Sequence, residues 1–281
     1  RGCQEVIDRA VSVKAGCAEL LYAYINQPEK RAFPEMNQYD LALRLLGLLG
    51  SSTAAILQTI KGIVKRLQGL ENAADELSQW QEIQTAAESI PQDAKAGELL
   101  TVLKQGFSLM KKTGAKQKAV IFTESVETQK MLQNLLSDRY RTLAYNGSAD
   151  YSVIRQFKED GEVLISTDNG AKGFNLEEAA FIIHYDLPYN TLKLEQRIDR
   201  CHRLGQENDV LSVAFIDKNN FANVRKLELV NKRMLVTDGV FGITDDVLGG
   251  FTDDVKAAFP VIAQRLRPRA QIEQAYRQTL S

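Results

Sequence analysis

The sequence predicts an α/β fold: a doubly wound parallel sheet with helices on both faces, preceded by an all-helical segment and followed by a short helical tail. Three observations carry this. From Ala119 to Met234, short apolar runs alternate with amphipathic stretches, the pattern of a parallel sheet threaded by crossover helices. Before Lys111, strand-like runs are nearly absent and apolar residues recur at helical spacing. After Val236, two glycine-containing turns, Asp238-Gly239 and Gly249-Gly250, separate further helix-like stretches.

The elements follow in order. Val6–Ile25 has helical apolar spacing, and Pro28 and Pro34 interrupt it. Tyr39–Leu49 is Leu-rich, and Gly50-Ser51-Ser52-Thr53 reads as a stop followed by an N-cap. In Ala54–Leu70, residues Ile56, Ile60, Ile63, Val64 and Leu67 share one face. Ala73–Ile90 and Lys95–Met110 are two more helices on either side of Pro91. The Lys-rich run Lys111–Lys118 reads as a polar connector. Buried strands are expected at Ala119–Thr123, Arg141–Tyr145, Glu162–Ser166, Phe181–Tyr185 and Val210–Ile216. Helices are expected at Val126–Leu136, Tyr151–Glu159, Thr191–Leu204 and Phe221–Met234, and in the tail around Asp254–Leu266 and Arg269–Leu280. The organisation is thus a helical region over 1–110, a sheet region over 111–235 and an extension over 236–281.

Composition narrows the function classes. The chain has 281 residues and a net charge of −1, whereas a free-standing nucleic-acid binder is usually basic. No apolar run approaches the ~18–20 residues a membrane span needs; the longest, around Leu41–Leu49, is broken by Arg44 and Gly47. Cys3, Cys17 and Cys201 form no C-x-x-C pair, and His184 and His202 lack metal-ligand spacing with them. A disulfide scaffold or metal site is not expected, and the cysteine usage suits a reducing cytoplasm. The chain starts at Arg1 without an initiator Met or leader pattern, and reads as a piece of something longer.

In open parallel sheets, ligands bind beyond the carboxyl ends of the strands, so the polar residues after each strand are the candidates. These are Thr123-Glu124-Ser125, Asn146-Gly147-Ser148, Thr167-Asp168-Asn169-Gly170 and Asp186. A second candidate is Gln196–Gln206, QRIDRCHRLGQ. Read as a helix, it places Gln196, Arg200 and Arg203 on one face and Leu194, Ile198 and Cys201 on the opposite face. Two planar guanidiniums on a rigid helix suit phosphate oxygens. Alone, the segment also fits a solvated helix face with an Arg–Asp pair. Upstream, Ser166–Leu176 runs from a strand into glycines and small polar residues, whose amides can approach a sugar–phosphate chain.

Together these segments resemble superfamily-two helicases of the Swi/Snf-type branch. Ser166–Leu176 is similar to motif V, with Ala171 where a second glycine is usual, and Gln196–Gln206 is similar to motif VI. Val120–Ser125 resembles motif IV, Tyr145-Asn146-Gly147-Ser148 the strand-end turn after it, and Tyr185–Asn190 the segment before motif VI. The likeness covers about Lys118–Ile216 with order and spacing intact. Asp238–Gly242 also looks like bacterial members of the branch.

The resemblance implies the second, RecA-like lobe of an ATP-dependent motor on nucleic acid, expected to be double-stranded DNA. It implies that Arg203 is an arginine finger on the γ-phosphate with Arg200 beside it, a device that contributes about 10³–10⁵ in rate. Gln196 would help place them, and Gly173 and Asn175 would contact the ribose side of ATP. Ser125, Gly147, Ser148 and Thr167 would touch the phosphate backbone. His202 is expected to be structural. No G-x-x-x-x-G-K-[ST] loop occurs, and Asp75-Glu76 lies in a helical stretch. ATP and Mg2+ would therefore be held largely by a first lobe of the same polypeptide, with Mg2+ bound there, and this chain alone would hydrolyse almost no ATP. The helical region would lie between lobes. An RNA-directed or RNA-polymerase-recycling ATPase is an alternative, and a non-catalytic interaction module is an alternative of another class.

Overall fold

A computed structural model describes residues 2–91, 93–147, 151–168, 174–230 and 261–271. The chain divides into two compact units, one of residues Arg1–Gly97 with Asn219–Asn223 and one of Glu98–Lys218 with Val224–Ser281.

The first unit is helical. It holds α1 (Gly2–Ile25), α2 (Gln38–Ser51), α3 (Thr53–Leu67) and α4 (Ala74–Glu88). The expected face of α3 is buried at Ile56, Ile60, Ile63 and Leu67. Ser52 serves two helices: it closes α2, and its Oγ accepts from Ala55 N at 3.1 Å to cap α3. That satisfies one of the donors a helix start leaves open. The core centres on Trp80, fully buried, with the Tyr24 ring edge-on at 4.7 Å and Phe33 at 6.3 Å. Glu76, one half of the Asp-Glu pair, accepts from Tyr24 Oη (2.7 Å), Arg31 N (2.8 Å) and Ala32 N (3.0 Å). Its carboxylate folds the 28–36 loop.

The second unit carries the sheet, with strands β1 (Ala119–Thr123), β2 (Thr142–Tyr145), β3 (Val163–Thr167), β4 (Phe181–His184), β5 (Val210–Phe215) and β6 (Val261–Leu266). Their order is β2-β3-β1-β4-β5-β6. The first five are mutually parallel. Around them run α5 (Ala94–Thr113), α6 (Val126–Leu136), α7 (Ser152–Glu159) and α8 (Thr191–Cys201), and residues 221–230 are also helical. Phe181 meets α5 at Phe107, ring to ring at 6.3 Å. Val120 and Ile182 pack with Ile154 and Phe157 of α7 and Cys201 of α8. Successive strand residues point to opposite faces, so Phe181 and Ile182 place helices on both sides, as expected. A Cβ on Gly106 would collide with the Phe181 ring, so that glycine sets how closely α5 approaches β4.

Three expectations change. The tail helix at Asp254–Leu266 is wrong where it is described: Val261–Leu266 is a strand, antiparallel to β5 from Val210↔Leu266 to Phe215↔Val261. Partner strand and β-branched Val261 and Ile262 outweigh local helical spacing, and Pro260 inside the expected helix argued against it. The connector is shorter than expected, because α5 continues to Thr113 and stops at Gly114 with φ +77°, Ala115 N donating to Met110 O at 3.0 Å. Lys118 is buried rather than solvated, its Nζ donating to Phe157 O (2.5 Å) and Gly161 O (2.7 Å). Burial lowers its pKa. Residues 231–260, and 272–280 of the last expected helix, lie outside the described residues.

Candidate functional site

β1, β3 and β4 are neighbours in the sheet, and their carboxyl ends bring Thr123, Asp168 and Asp186 together. Thr123 Oγ1 donates to Asp186 Oδ2 at 2.5 Å, and Glu124 N donates to the same oxygen at 3.1 Å. Lys226 Nζ reaches Glu124 Oε2 at 2.5 Å and lies 4.6 Å from the Tyr189 ring centroid. The carboxyl ends of the strands are where an open parallel sheet takes its ligands.

α8 begins at Asn190, whose side chain accepts from Leu192 N at 2.9 Å. It ends at Cys201, with His202 as the C-cap. The expected continuation through Leu204 fails because His202 leaves the helical region at φ −87° and ψ 77°; Gly205 then turns the chain at φ +105°. Arg203 therefore stands in the turn after α8 and not on its third turn. The buried stripe also differs: it is Leu194, Arg197 and Cys201, with Ile198 partly buried. Gln196 is exposed, and Arg200 and Arg203 are half-buried.

The two motif segments are stitched together by side chains and backbone. Leu176 N donates to Arg200 O at 2.8 Å. Gln206, itself buried, donates from Nε2 to Glu177 O at 2.8 Å and to Ala179 O at 3.2 Å. Arg203 Nη1 donates to Asn175 Oδ1. Arg197 donates from Nε to Asp168 Oδ1 at 2.7 Å and from Nη1 to Asp186 O at 2.6 Å. By contrast, the Nε of Arg200 is buried without a hydrogen-bond partner. An unpaired buried donor is costly, and an anionic oxygen would satisfy it.

Behind α8, His202 Nε2 donates to Arg267 O at 2.6 Å, and Arg269 pairs with Asp199. The bond to a carbonyl fixes the proton on Nε2, leaving Nδ1 bare and unpartnered. Burial is the main cause that lowers the His202 pKa. His184, bonded to Ser212 Oγ at 3.1 Å and stacked on Phe122, is held neutral first by burial and then by nearby Arg197. Burial raises the thiol of Cys201 well above its usual range. His202 thus links the end of α8 to the segment after β6.

The sequence-derived contacts are placed as follows. Ser125 caps α6, its Oγ accepting from Thr128 N at 3.3 Å. Gly147 turns the chain after β2 at φ +88° and is exposed. Thr167 ends β3 and is buried. Asn175 is exposed. Ser148 and Gly173 lie outside the described residues. Sequence reasoning named Asp168 among the strand-end candidates and held Arg197 and Gln206 within the Gln196–Gln206 segment, but it missed the bonds these three make. One signal was present: Arg197 falls on the apolar stripe of α8, and a buried arginine calls for a carboxylate.

Residues 98–205 match the helicase conserved C-terminal domain family. This segment is a helicase C-terminal domain. The chain is 32% identical over 204 residues to the uncharacterized ATP-dependent helicase YqhH of Bacillus subtilis (strain 168), covering 70% of the chain and 34% of that protein. It is 27% identical over 186 residues to the RNA polymerase-associated protein RapA of Vibrio vulnificus (strain YJ016), covering 63% of the chain and 17% of that protein. The chain thus spans about a third of the first relative and about a sixth of the second. The crystal structure of the C-terminal part of the Fun30 ATPase domain aligns at TM-score 0.45 and 17% identity, over 81% of this chain and 84% of that one. These matches agree with the resemblance of its motifs to superfamily-two helicases of the Swi/Snf-type branch. No helix among the described residues is long and apolar enough to cross a membrane.

Proposed function

We propose that this chain is the second lobe of an ATP-dependent translocase on double-stranded DNA, in which Arg200 and Arg203 act on the phosphates of ATP held by a first lobe. The observation that carries the reading is the pair of guanidiniums at the C-terminal end of α8, tied to the segment that follows β3. Arg200 has a buried Nε with no hydrogen-bond partner, and Arg203 is half-buried, bonded to the exposed side chain of Asn175. These groups fit a phosphate anion: guanidiniums bind such oxygens as planar forks, and neither can lose its charge.

ATP supplies the phosphoryl group. Arg203 and Arg200 stabilise charge that develops during its transfer, and Asn175, with Gly173, faces the ribose. Gln196, exposed on α8, helps to seat the nucleotide. Ser125, Gly147, Ser148 and Thr167 contact the DNA backbone, which positions the motor without reading sequence. Thr167 is buried and can contribute only through its main chain or a local shift. The Mg2+ is assigned to the first lobe of the same polypeptide. The helical unit lies between the lobes in chain order. A cytoplasmic setting fits the buried thiols of Cys17 and Cys201.

The test is the ATPase of the polypeptide that joins this chain to a nucleotide-loop lobe. Arg203→Ala should reduce DNA-stimulated hydrolysis by about 10³-fold or more; retention of the unmodified rate would sink the assignment. The likeness to RapA favours a second reading, an ATPase working with RNA polymerase. Stimulation by duplex DNA, single strands and RNA, measured side by side, separates the two.

A further inference from the structure

The most deeply buried charge near the site is one that phosphate chemistry does not use. Arg197 is only 1% exposed. Its guanidinium lies over the Phe122 ring, 5.4 Å from the centroid. Nε and Nη2 both donate to Asp168 Oδ1, and Nη1 donates to Asp186 O at 2.6 Å. The other oxygen of Asp168 pairs with Lys193 Nζ at 3.2 Å. One carboxylate at the end of β3 therefore grips two successive turns of α8, and the backbone at the end of β4 grips the same guanidinium.

Stability alone is a poor account of this arrangement. Replacing a buried ion pair with apolar groups of similar volume is often neutral or stabilising. An apolar side chain at 197 would extend the stripe of Leu194 and Cys201. A planar fork fixed at two strand ends does something an apolar residue cannot: it sets both the rotation of α8 about its axis and its position along that axis. Arg200 stands one turn further along the same helix.

We propose that Arg197 is a positioning residue, which through Asp168 and Asp186 holds α8 in the phase that aims Arg200 and Arg203 at the transferring phosphoryl group. This rests on the proposed motor function. Because the aim matters most in the transition state, its loss should lower kcat more than it raises KM. A displacement of an ångström can cost about 100-fold.

The experiment measures DNA-stimulated ATPase in the joined polypeptide for Arg197→Lys, Asp168→Asn and the double variant. Folded fraction is followed by circular dichroism and by thermal unfolding. Arg203→Ala is the control: if it keeps the unmodified rate, the motor assignment itself fails. If the control loses activity, the proposal expects each single variant to lower kcat per folded molecule by about 10- to 100-fold. It expects KM for ATP to move by less than about threefold. The double variant should lose less than the product of the two single losses, since both break the Arg197–Asp168 link. Unchanged kcat in folded Arg197→Lys overturns the proposal. Should that variant fold poorly, Asp168→Asn decides, because it keeps the bond from Arg197 to Asp186 O; unchanged kcat per folded molecule there also overturns it. Additive losses in the double variant do the same.

Discussion

Glu76 and Asp168 show how differently the two units use a carboxylate. Glu76, in the helical unit, accepts from Tyr24 Oη, Arg31 N and Ala32 N. All three partners shape the loop and core of that unit. Asp168, in the sheet unit, takes Arg197 and Lys193 from one helix onto the end of β3. The first carboxylate closes a fold and the second aligns a functional helix. The helical unit gathers Trp80, Tyr24, Phe33, Leu45, Ile56 and Ile60 into one apolar core, whereas the sheet unit buries Arg197, His184, His202 and Gln206. Polar burial without a matching apolar gain marks the region where alignment is being set.

Three measurements can break or sharpen this contrast. The largest effect should come from Trp80→Ala, which empties the centre of the helical core and should destabilise it by about 3–5 kcal/mol. Amide exchange should accelerate in α1, α3 and α4, while amides in β1, β3 and β4 keep their protection. Equal acceleration in both sets would erase the distinction.

The next effect concerns acid. Both histidines of the chain lie in the sheet unit, and both have pKa values pulled below the usual 6.5. Below 6.5 the unfolded chain takes up protons that the folded unit refuses. Stability should therefore fall as pH drops from about 6.5 toward the folded values, with a slope of up to ~1.4 kcal/mol per pH unit for each histidine. Urea midpoints at pH 7.5 and 5.5 measure it. A flat response, or one that tracks the histidine-free helical unit, would count against buried neutral imidazoles.

The smallest effect compares two caps. Ser52→Ala and Ser125→Ala each remove an N-cap and should each cost about 1 kcal/mol in thermal or urea unfolding. Only Ser125→Ala should also weaken stimulation of the ATPase by DNA. Equal stimulation in both variants would remove Ser125 from the proposed backbone contacts.

Much of the architecture was legible because local signals and tertiary demand agree. Ala119–Thr123 is apolar on both faces because β1 is central, and Ser125 caps α6 where the sequence places a serine before a helical stretch. The ordered motifs located both halves of the candidate site. What escaped depended on partners remote in sequence. Val261–Leu266 is a strand only because β5 offers an edge. Arg197 looks like a surface residue until Asp168, 29 residues away, is brought beside it. The end of α8 escaped because Gln196, Arg200 and Arg203 keep helical spacing past Cys201, whereas His202, bonded to Arg267 O, leaves the helical region at ψ 77°.

The strand β6 has a consequence for handling the protein. β5 is buried along its whole length, Val210–Phe215, and β6 covers its outer edge through six paired positions. Any boundary drawn before Val261 would strip that cover and leave a long apolar edge with open hydrogen-bonding groups. Such an edge is a template for pairing with another chain. Shortened versions that look complete by their helicase motifs should therefore self-associate, and versions that retain the final strand should stay dispersed.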